Sequence, residues 1–283
     1  MVTPAEAAAA VRHHYDVGND FYALWLDRSL TYSCAMPDGP DDTLEAAQKR
    51  KVEFHLDAIG AARHVLDIGC GWGSVLRELS HRATRAVGLT LSDEQAAFVE
   101  AQRLPGTEVR TEHWLHHEPD APYDGIISIG AFEHFAGPGE DKVAVYRDFF
   151  IRCRDWSRED GTLSLQTIAY ANMSRETASE FMRQDIFPDA DLPTLAEITA
   201  AADGIFEVIS VHNGRFDYAW TCEQWAHRLR SRRAEAVGVA GPEVVARYER
   251  YLKLSALGFR MGKICLLRLV LRPYRARFFG RTP

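Results

Sequence analysis

The chain has 283 residues, 46% of them apolar and 26% charged, with a formal net charge of −7. This is the composition of an ordinary globular chain, long enough for one large domain, and it excludes a low-complexity or membrane-spanning class. No apolar run approaches a membrane span, and Met1–Ala10 lacks a signal-peptide pattern. Five cysteines without a C-x-x-C pair argue for a reduced, cytoplasmic compartment and against a structural zinc or other metal site.

The charge is uneven. Lys253–Pro283 carries eight Lys/Arg and no Asp/Glu, so the remainder of the chain holds −15. The segment reads as a solvated basic tail or as a docking patch for an anionic group: a lipid headgroup, a carrier protein or a diphosphate. The acidic remainder would repel nucleic acid.

In chain order, Ala5–Tyr15 and Phe21–Leu26 read as short helices. Asp42-Thr43-Leu44-Glu45 is a capping pattern opening a helix with Val52, His55, Leu56 and Ile59 on one face, stopped by Gly60. Strands are predicted at His64–Ile68, Arg85–Thr90, Glu108–Thr111, Gly125–Ile129, Gly161–Ile168, Phe206–His212 and Lys263–Leu271. Helices fall between them at Ser74–Leu79, Asp93–Arg103, Lys142–Trp156 and Leu195–Ala202. This alternation predicts an α/β fold: a doubly wound, mostly parallel sheet with ligands at the C-terminal strand ends. Ala169–Leu192 and Gln224–Leu257 break the alternation and read as a cover over the cleft. The expected organisation is one domain. N-terminal helices occupy 1–60, the core takes 61–168 with 194–215 and 258–272, and lid insertions fill 169–193 and 216–257.

Val65-Leu66-Asp67-Ile68-Gly69-Cys70-Gly71-Trp72-Gly73 is a strand that turns tightly into a helix. Its G-x-G-x-G spacing differs from the dinucleotide fingerprint and suits a small group without net charge, such as the amino-acid end of S-adenosylmethionine, better than two phosphates. The second strand ends at Thr90-Leu91-Ser92 where many adenosyl-binding folds carry an acidic residue. Gln95 lies one turn on, either reaching a ribose or closing a capping box with Ser92. The fourth strand ends in Gly130-Ala131-Phe132-Glu133-His134-Phe135, where Glu133 and His134 form a candidate proton-handling pair. Their bland alternative is a helix-initiating Glu with a packed His.

With His14–Tyr22 (HYDVGNDFY), Leu30–Ala35 (LTYSCA), Thr43–Lys51, Val87–Gln95, Ser128–Phe135, Phe187–Pro193, Asp217–Thr221 and Tyr248–Gly262 added to the glycine run, the chain resembles the cyclopropane fatty acid synthase family. That family includes the mycolic acid cyclopropane synthases, and the short form here is more similar to them. The resemblance implies a Rossmann-like S-adenosylmethionine-dependent methyltransferase that moves a methyl group onto an alkene carbon and leaves a carbocation. Proton loss then gives a cyclopropane, and other fates give a methyl branch, an exomethylene or an alcohol. It implies Tyr32, Ser33, Gly69, Cys70, Gly71, Thr90, Leu91, Gln95, Trp114 and Gly130 for the cofactor. Tyr15, Phe132, Phe135, Tyr170 and Tyr218 would offer π faces to a cation in a dry pocket. Cys34, Glu133, Ile168 and Tyr218 match positions that surround a bound bicarbonate. Gln166 stands where the family has a His, and Asp217 where a His is common. An amide is neutral at every pH, so Gln166 puts bicarbonate, and ring closure on an ordinary fatty chain, in doubt. The acceptor is expected to be a hydrophobic acyl chain or an alkene- or prenyl-bearing specialised metabolite. N- or O-methylation, a non-catalytic cofactor-binding role and a homo-oligomer are the remaining alternatives.

Overall fold

The structure, a computed structural model, describes residues 17–82, 85–174 and 191–274. The helix expected at Ala5–Tyr15, the candidate Tyr15, and Arg275, Arg277 and Arg281 of the basic segment lie outside these residues.

Seven strands form one sheet: β1 (His64–Ile68), β2 (Arg85–Thr90), β3 (Thr107–Thr111), β4 (Tyr123–Ile129), β5 (Ser157–Tyr170), β6 (Phe206–Asn213) and β7 (Ile264–Pro273). Their order is β3-β2-β1-β4-β5-β7-β6. Pairing is parallel from β3 through β5, whereas β7 runs antiparallel to both β5 and β6. The order reverses between β1 and β4, so a crevice opens at the C-terminal ends of those two strands.

The helices are α1 (Asn19–Ala23), α2 (Leu44–Ile59), α3 (Ser74–His81), α4 (Asp93–Ala101), α5 (Lys142–Trp156), α6 (Leu195–Ala202), α7 (Arg215–Ser231), α8 (Arg233–Ala240) and α9 (Pro242–Arg260). The alternating side chains of β1 show how the two layers form. Leu66 and Ile68 join Phe149, Phe150 and Ile198 on the α5–α6 side, while Val65 joins Val52, Leu56, Ile59 and Leu76 on the α2–α3 side. A third cluster packs Phe21, Tyr22 and Trp25 against Trp225, Tyr248 and Phe259 of α7 and α9.

Three elements differ from expectation by more than two residues at an end. The helix expected at Phe21–Leu26 is Asn19–Ala23, because Leu24 and Trp25 already bond three residues back and the chain then turns around the Asp27 carboxylate. The stretch expected at Gln224–Leu257 is three helices beginning at Arg215, the last entered through Gly241 at φ +83° and Pro242. Strand β5 extends beyond Gly161–Ile168 at both ends, with a register shift against β4 between Tyr123 and Gly125. Among the described residues no helix is long and apolar enough to cross a membrane.

Helix α2 begins where Thr43 Oγ1 accepts the Ala46 amide and ends at Gly60, φ +63°. Its expected apolar face packs on the sheet, yet the same helix buries a second, polar row at Gln48, Lys51 and His55. Gln48 Nε2 donates to Thr31 O and Ser33 O, Lys51 Nζ donates to Ser33 Oγ, and His55 Nδ1 lies 2.8 Å from Ser164 Oγ of β5.

Candidate active site

The turn after β1 needs three left-handed glycines, Gly69 (φ +81°), Gly71 (φ +54°) and Gly73 (φ +79°). Their reasons differ. A Cβ on Gly69 would lie 2.6 Å from the Cβ of Ala131, and one on Gly73 would lie 2.8 Å from Val99, whereas one on Gly71 would meet nothing within 4 Å among the described residues. Packing therefore excludes side chains at the outer two, while Gly71 borders open space. Cys70 is buried against Gly88, whose missing Cβ would sit 3.0 Å from its Sγ, and its amide bonds Leu89 O.

At the end of β2, Thr90 Oγ1 donates to Gln95 Oε1 at 2.8 Å. Ser92 Oγ accepts the Gln95 amide at 3.3 Å, but Ser92 N is bonded to Thr90 Oγ1. The capping box is therefore only half made, and the Gln95 side-chain NH2 is left as a donor. Leu91 is half-buried beside it. Trp114 is buried with its ring 5.2 Å from Phe135 and 5.5 Å from Phe149, and its indole N–H has no partner among the described residues. Gly130 (φ +72°) closes β4. A Cβ there would lie 3.8 Å from Glu133 Oε1 and 3.9 Å from Ser33 Cβ, so the strand end, Glu133 and the Tyr32–Ser33 loop meet at one point.

Glu133 is buried and accepts a hydrogen bond from Thr167 Oγ1 at 2.8 Å. Burial pushes its carboxyl up to about 7, against the hydrogen bonds that favour the ionised form. His134, its sequence neighbour, is exposed. Cys34, Ile168, Tyr170 and Tyr218 share one apolar cluster, in which Tyr218 stacks on Phe259 with ring centroids 4.5 Å apart. Burial pushes the Cys34 thiol up to about 12, so it is neutral at ordinary pH. Phe132 departs from the π-face expectation: its ring is fully buried and stacked on Tyr146 at 4.2 Å, within the α5 core. Phe135 sits with Trp114 rather than with Tyr218.

Gln166 is buried, and sequence reasoning missed its partner. Arg268 of β7 is fully buried. It donates through Nε to Gln166 Oε1 at 2.8 Å, through Nη1 to Asp217 Oδ2 at 2.9 Å, and through Nη2 to Ala35 O at 2.9 Å and Cys34 Sγ at 3.4 Å. Gly214 makes room for it, since a Cβ there would lie 2.4 Å from Nη1. This corrects the reading of Lys253–Pro283 as a solvated basic tail or docking patch at two positions: Arg268 is buried among Gln166, Asp217, Ala35 and Cys34, and Arg260 is bonded to Glu223. The available signal was one arginine inside the apolar run Cys265–Leu271, where a lone charge needs a buried partner.

The sequence model of the family described as mycolic acid cyclopropane synthetase matches residues 3–269. Cyclopropane mycolic acid synthase 2 of Mycobacterium bovis is 36% identical over 268 residues, covering 86% of this chain and 87% of the relative. Cyclopropane mycolic acid synthase MmaA2 of Mycobacterium tuberculosis is 36% identical over 278 residues, covering 90% and 93%. Among solved structures, mycolic acid cyclopropane synthase CmaA1 complexed with S-adenosylhomocysteine and CTAB aligns with TM-score 0.84 and 32% identity, covering 94% of this chain and 98% of that one. The crevice here fits such a cofactor: among the described residues Gly71 borders free space, the Gln95 amide and Trp114 indole keep donors, and buried Asp67 Oδ2 has no partner. The chain belongs to the mycolic acid cyclopropane synthetase family and is an S-adenosylmethionine-dependent methyltransferase.

Proposed function

We propose that the enzyme adds the cofactor methyl group to an alkene carbon of a hydrophobic acceptor through a carbocation, and that Glu133 removes the proton that resolves it. When bound, S-adenosylmethionine supplies an electrophilic methyl on a sulfonium. Tyr32, Ser33, Gly69, Cys70, Gly71, Thr90, Leu91, Gln95, Trp114 and Gly130 would hold it along the strand ends, Cys70 by shaping the turn, since its amide is bonded to Leu89 O, its carbonyl to Gly73 N and its side chain packs on Gly88. Helices α7–α9 act as the lid that keeps water out, and the stacked Tyr218–Phe259 pair offers a π face to the cation. The neutral Cys34 thiol does not trap it.

The single observation that carries this reading is Glu133: a buried carboxyl held by Thr167 beside the Ser33–Gly130 junction, with an ionisation near neutrality. Bicarbonate is not needed as the base. Arg268 already points its donors at Asp217, Gln166, Ala35 and Cys34, and Gln166 spends its oxygen on Arg268. An unsaturated acyl chain is the favoured acceptor, supported by the relatives' names and by the CTAB bound in a related structure. An alkene- or prenyl-bearing specialised metabolite is the second reading, favoured by the Gln166–Arg268 departure.

The test is product mass spectrometry with methyl-deuterated cofactor. Two deuteriums retained are expected, because the proton leaves the transferred carbon and the ring closes. Three retained on carbon would move the proton loss to the acceptor chain. A methyl group found on nitrogen or oxygen would overturn the reading.

A further inference from the structure

Residues 112–122 carry the chain from the end of β3, at the crevice, to the start of β4 at the opposite end of the sheet. A parallel crossover usually contains a helix. Here, among the described residues, it contains one 3-10 turn, Trp114–His116. That turn is closed by His116 N to His113 O and His117 N to Trp114 O, with His113 Nδ1 accepting the Leu115 amide. These bonds fix the shape of the turn and not its place against the sheet.

Side chains fix its place. His117 follows the turn, and its side chain has no exposed surface. Its Nδ1 is hydrogen-bonded to Glu112 Oε1, on the other side of the turn. Its Nε2 lies 2.9 Å from the hydroxyl of Tyr123, the first residue of β4. Trp156 packs edge-on against the imidazole at 5.1 Å, and His64 lies on Tyr123 with ring centroids 4.4 Å apart. The donors follow from the chemistry. A carboxylate only accepts, so Nδ1 carries the hydrogen, and Nε2 accepts from the Tyr123 hydroxyl. The neutral ring then has both nitrogens satisfied. One imidazole thus joins the two ends of the crossover around Trp114.

We propose that His117 is a positioning residue: bonded between Glu112 and Tyr123, it holds the Trp114 indole where the base of the cofactor comes to lie. This rests on the cofactor reading above and is independent of the acceptor. The base is assigned to this end by order along the crevice. The glycine turn follows β1, the Thr90–Gln95 pair follows β2, and the end of β3 comes next. There the wall is aromatic, with Trp114 against Phe135, and it suits the one aromatic part of the molecule.

Displacement calorimetry on the intact enzyme tests it with two probes, S-adenosylhomocysteine and S-ribosylhomocysteine, which carries a hydroxyl in place of the base. Wild type is expected to prefer the complete molecule. His117→Leu removes both hydrogen bonds and leaves an apolar side chain in the space. It weakens S-adenosylhomocysteine about tenfold, within the range of a lost base–aromatic contact, and changes S-ribosylhomocysteine by less than about threefold. His117→Gln, whose amide again offers one donor and one acceptor, recovers most of the preference, and Tyr123→Phe reduces it. A merely structural role would weaken both probes alike in His117→Leu, or neither, and either result overturns the proposal. So does a His117→Gln variant that recovers nothing. Should His117→Leu fail to fold, an unchanged preference in Tyr123→Phe overturns it by itself. A wild type that binds neither probe would refute the cofactor reading instead, and one that binds both equally would refute this one.

Discussion

Arg268 Nε and Gln166 Oε1 are 2.8 Å apart, opposite each other in the β5–β7 register. Taken alone, Gln166 is a lost charge. Beside Arg268 it is an acceptor that a buried guanidinium requires, because five N–H donors that never deprotonate must all find oxygen or sulfur. Asp217 balances the charge, so the wall is dipolar rather than cationic. That balance suits the cofactor's sulfonium and the carbocation proposed above, either of which a bare positive wall would repel.

Arg268→Met is therefore expected to destabilise the fold by about 3 kcal/mol, the low end for breaking a buried pair whose other member is partly exposed. Asp217→Asn combined with Arg268→Met should lose less than the two single changes summed, since each single change strands the other's partner. Thermal denaturation of the four proteins measures this. Strict additivity would mean that the 2.9 Å contact carries no coupling.

Gln166→His places an imidazole beside the guanidinium and next to the buried His55. Desolvation and the Arg268 charge both disfavour a second cation there, so the new ring should titrate below the ordinary value of about 6.5. NMR titration of the variant reads it directly. A value above that would show that Arg268 does not govern this position.

Glu133 gives two pH effects of opposite benefit. As a base it must be ionised, so the rate should rise with pH through about 7, and Glu133→Gln should lower kcat by at least about a hundredfold while leaving S-adenosylhomocysteine affinity nearly unchanged. Stability runs the other way. The folded carboxyl titrates near 7 and the unfolded one near 4.5, so between those values the folded state holds the extra proton and stability falls as pH rises. Glu133→Gln should flatten that slope, by up to roughly 3 kcal/mol across the window. Calorimetric melts from pH 4 to 8 would contradict the assignment if both proteins showed the same slope.

The strand–helix alternation and the glycine run were enough to read the sheet, because parallel strands buried on both faces and left-handed turns leave strong local patterns. The positions of Cys34, Glu133 and Tyr218 were legible through long motifs. What stayed hidden depends on pairing between distant segments. Arg268 looks like one more charge in a basic segment until β7 is laid antiparallel to β5, and Lys51 sits in a run, Lys49-Arg50-Lys51, whose other two members are not buried. No local period separates the inward lysine from its neighbours, since the burial of a charge is decided by what lies across from it. Phe132 misled for the same reason: its strand-end position suggests the cleft, while Tyr146 claims the ring.

Gly69 and Gly71 should separate fold from ligand. Both have positive φ, so alanine at either costs about 1–2 kcal/mol in backbone strain. At Gly69 the added Cβ also meets Ala131 at 2.6 Å, a backbone-anchored neighbour that must shift, so Gly69→Ala is expected to lower the melting temperature of the ligand-free enzyme markedly. At Gly71 nothing among the described residues stands within 4 Å, so the ligand-free enzyme should lose only the strain. On the proposed seating of the cofactor the same Cβ enters the space of its amino-acid end, so Gly71→Ala should weaken S-adenosylhomocysteine by at least about tenfold. Melting curves and titration calorimetry on the two variants give both quantities. If Gly71→Ala bound the cofactor product as tightly as wild type, the open space beside that glycine would not be the ligand's.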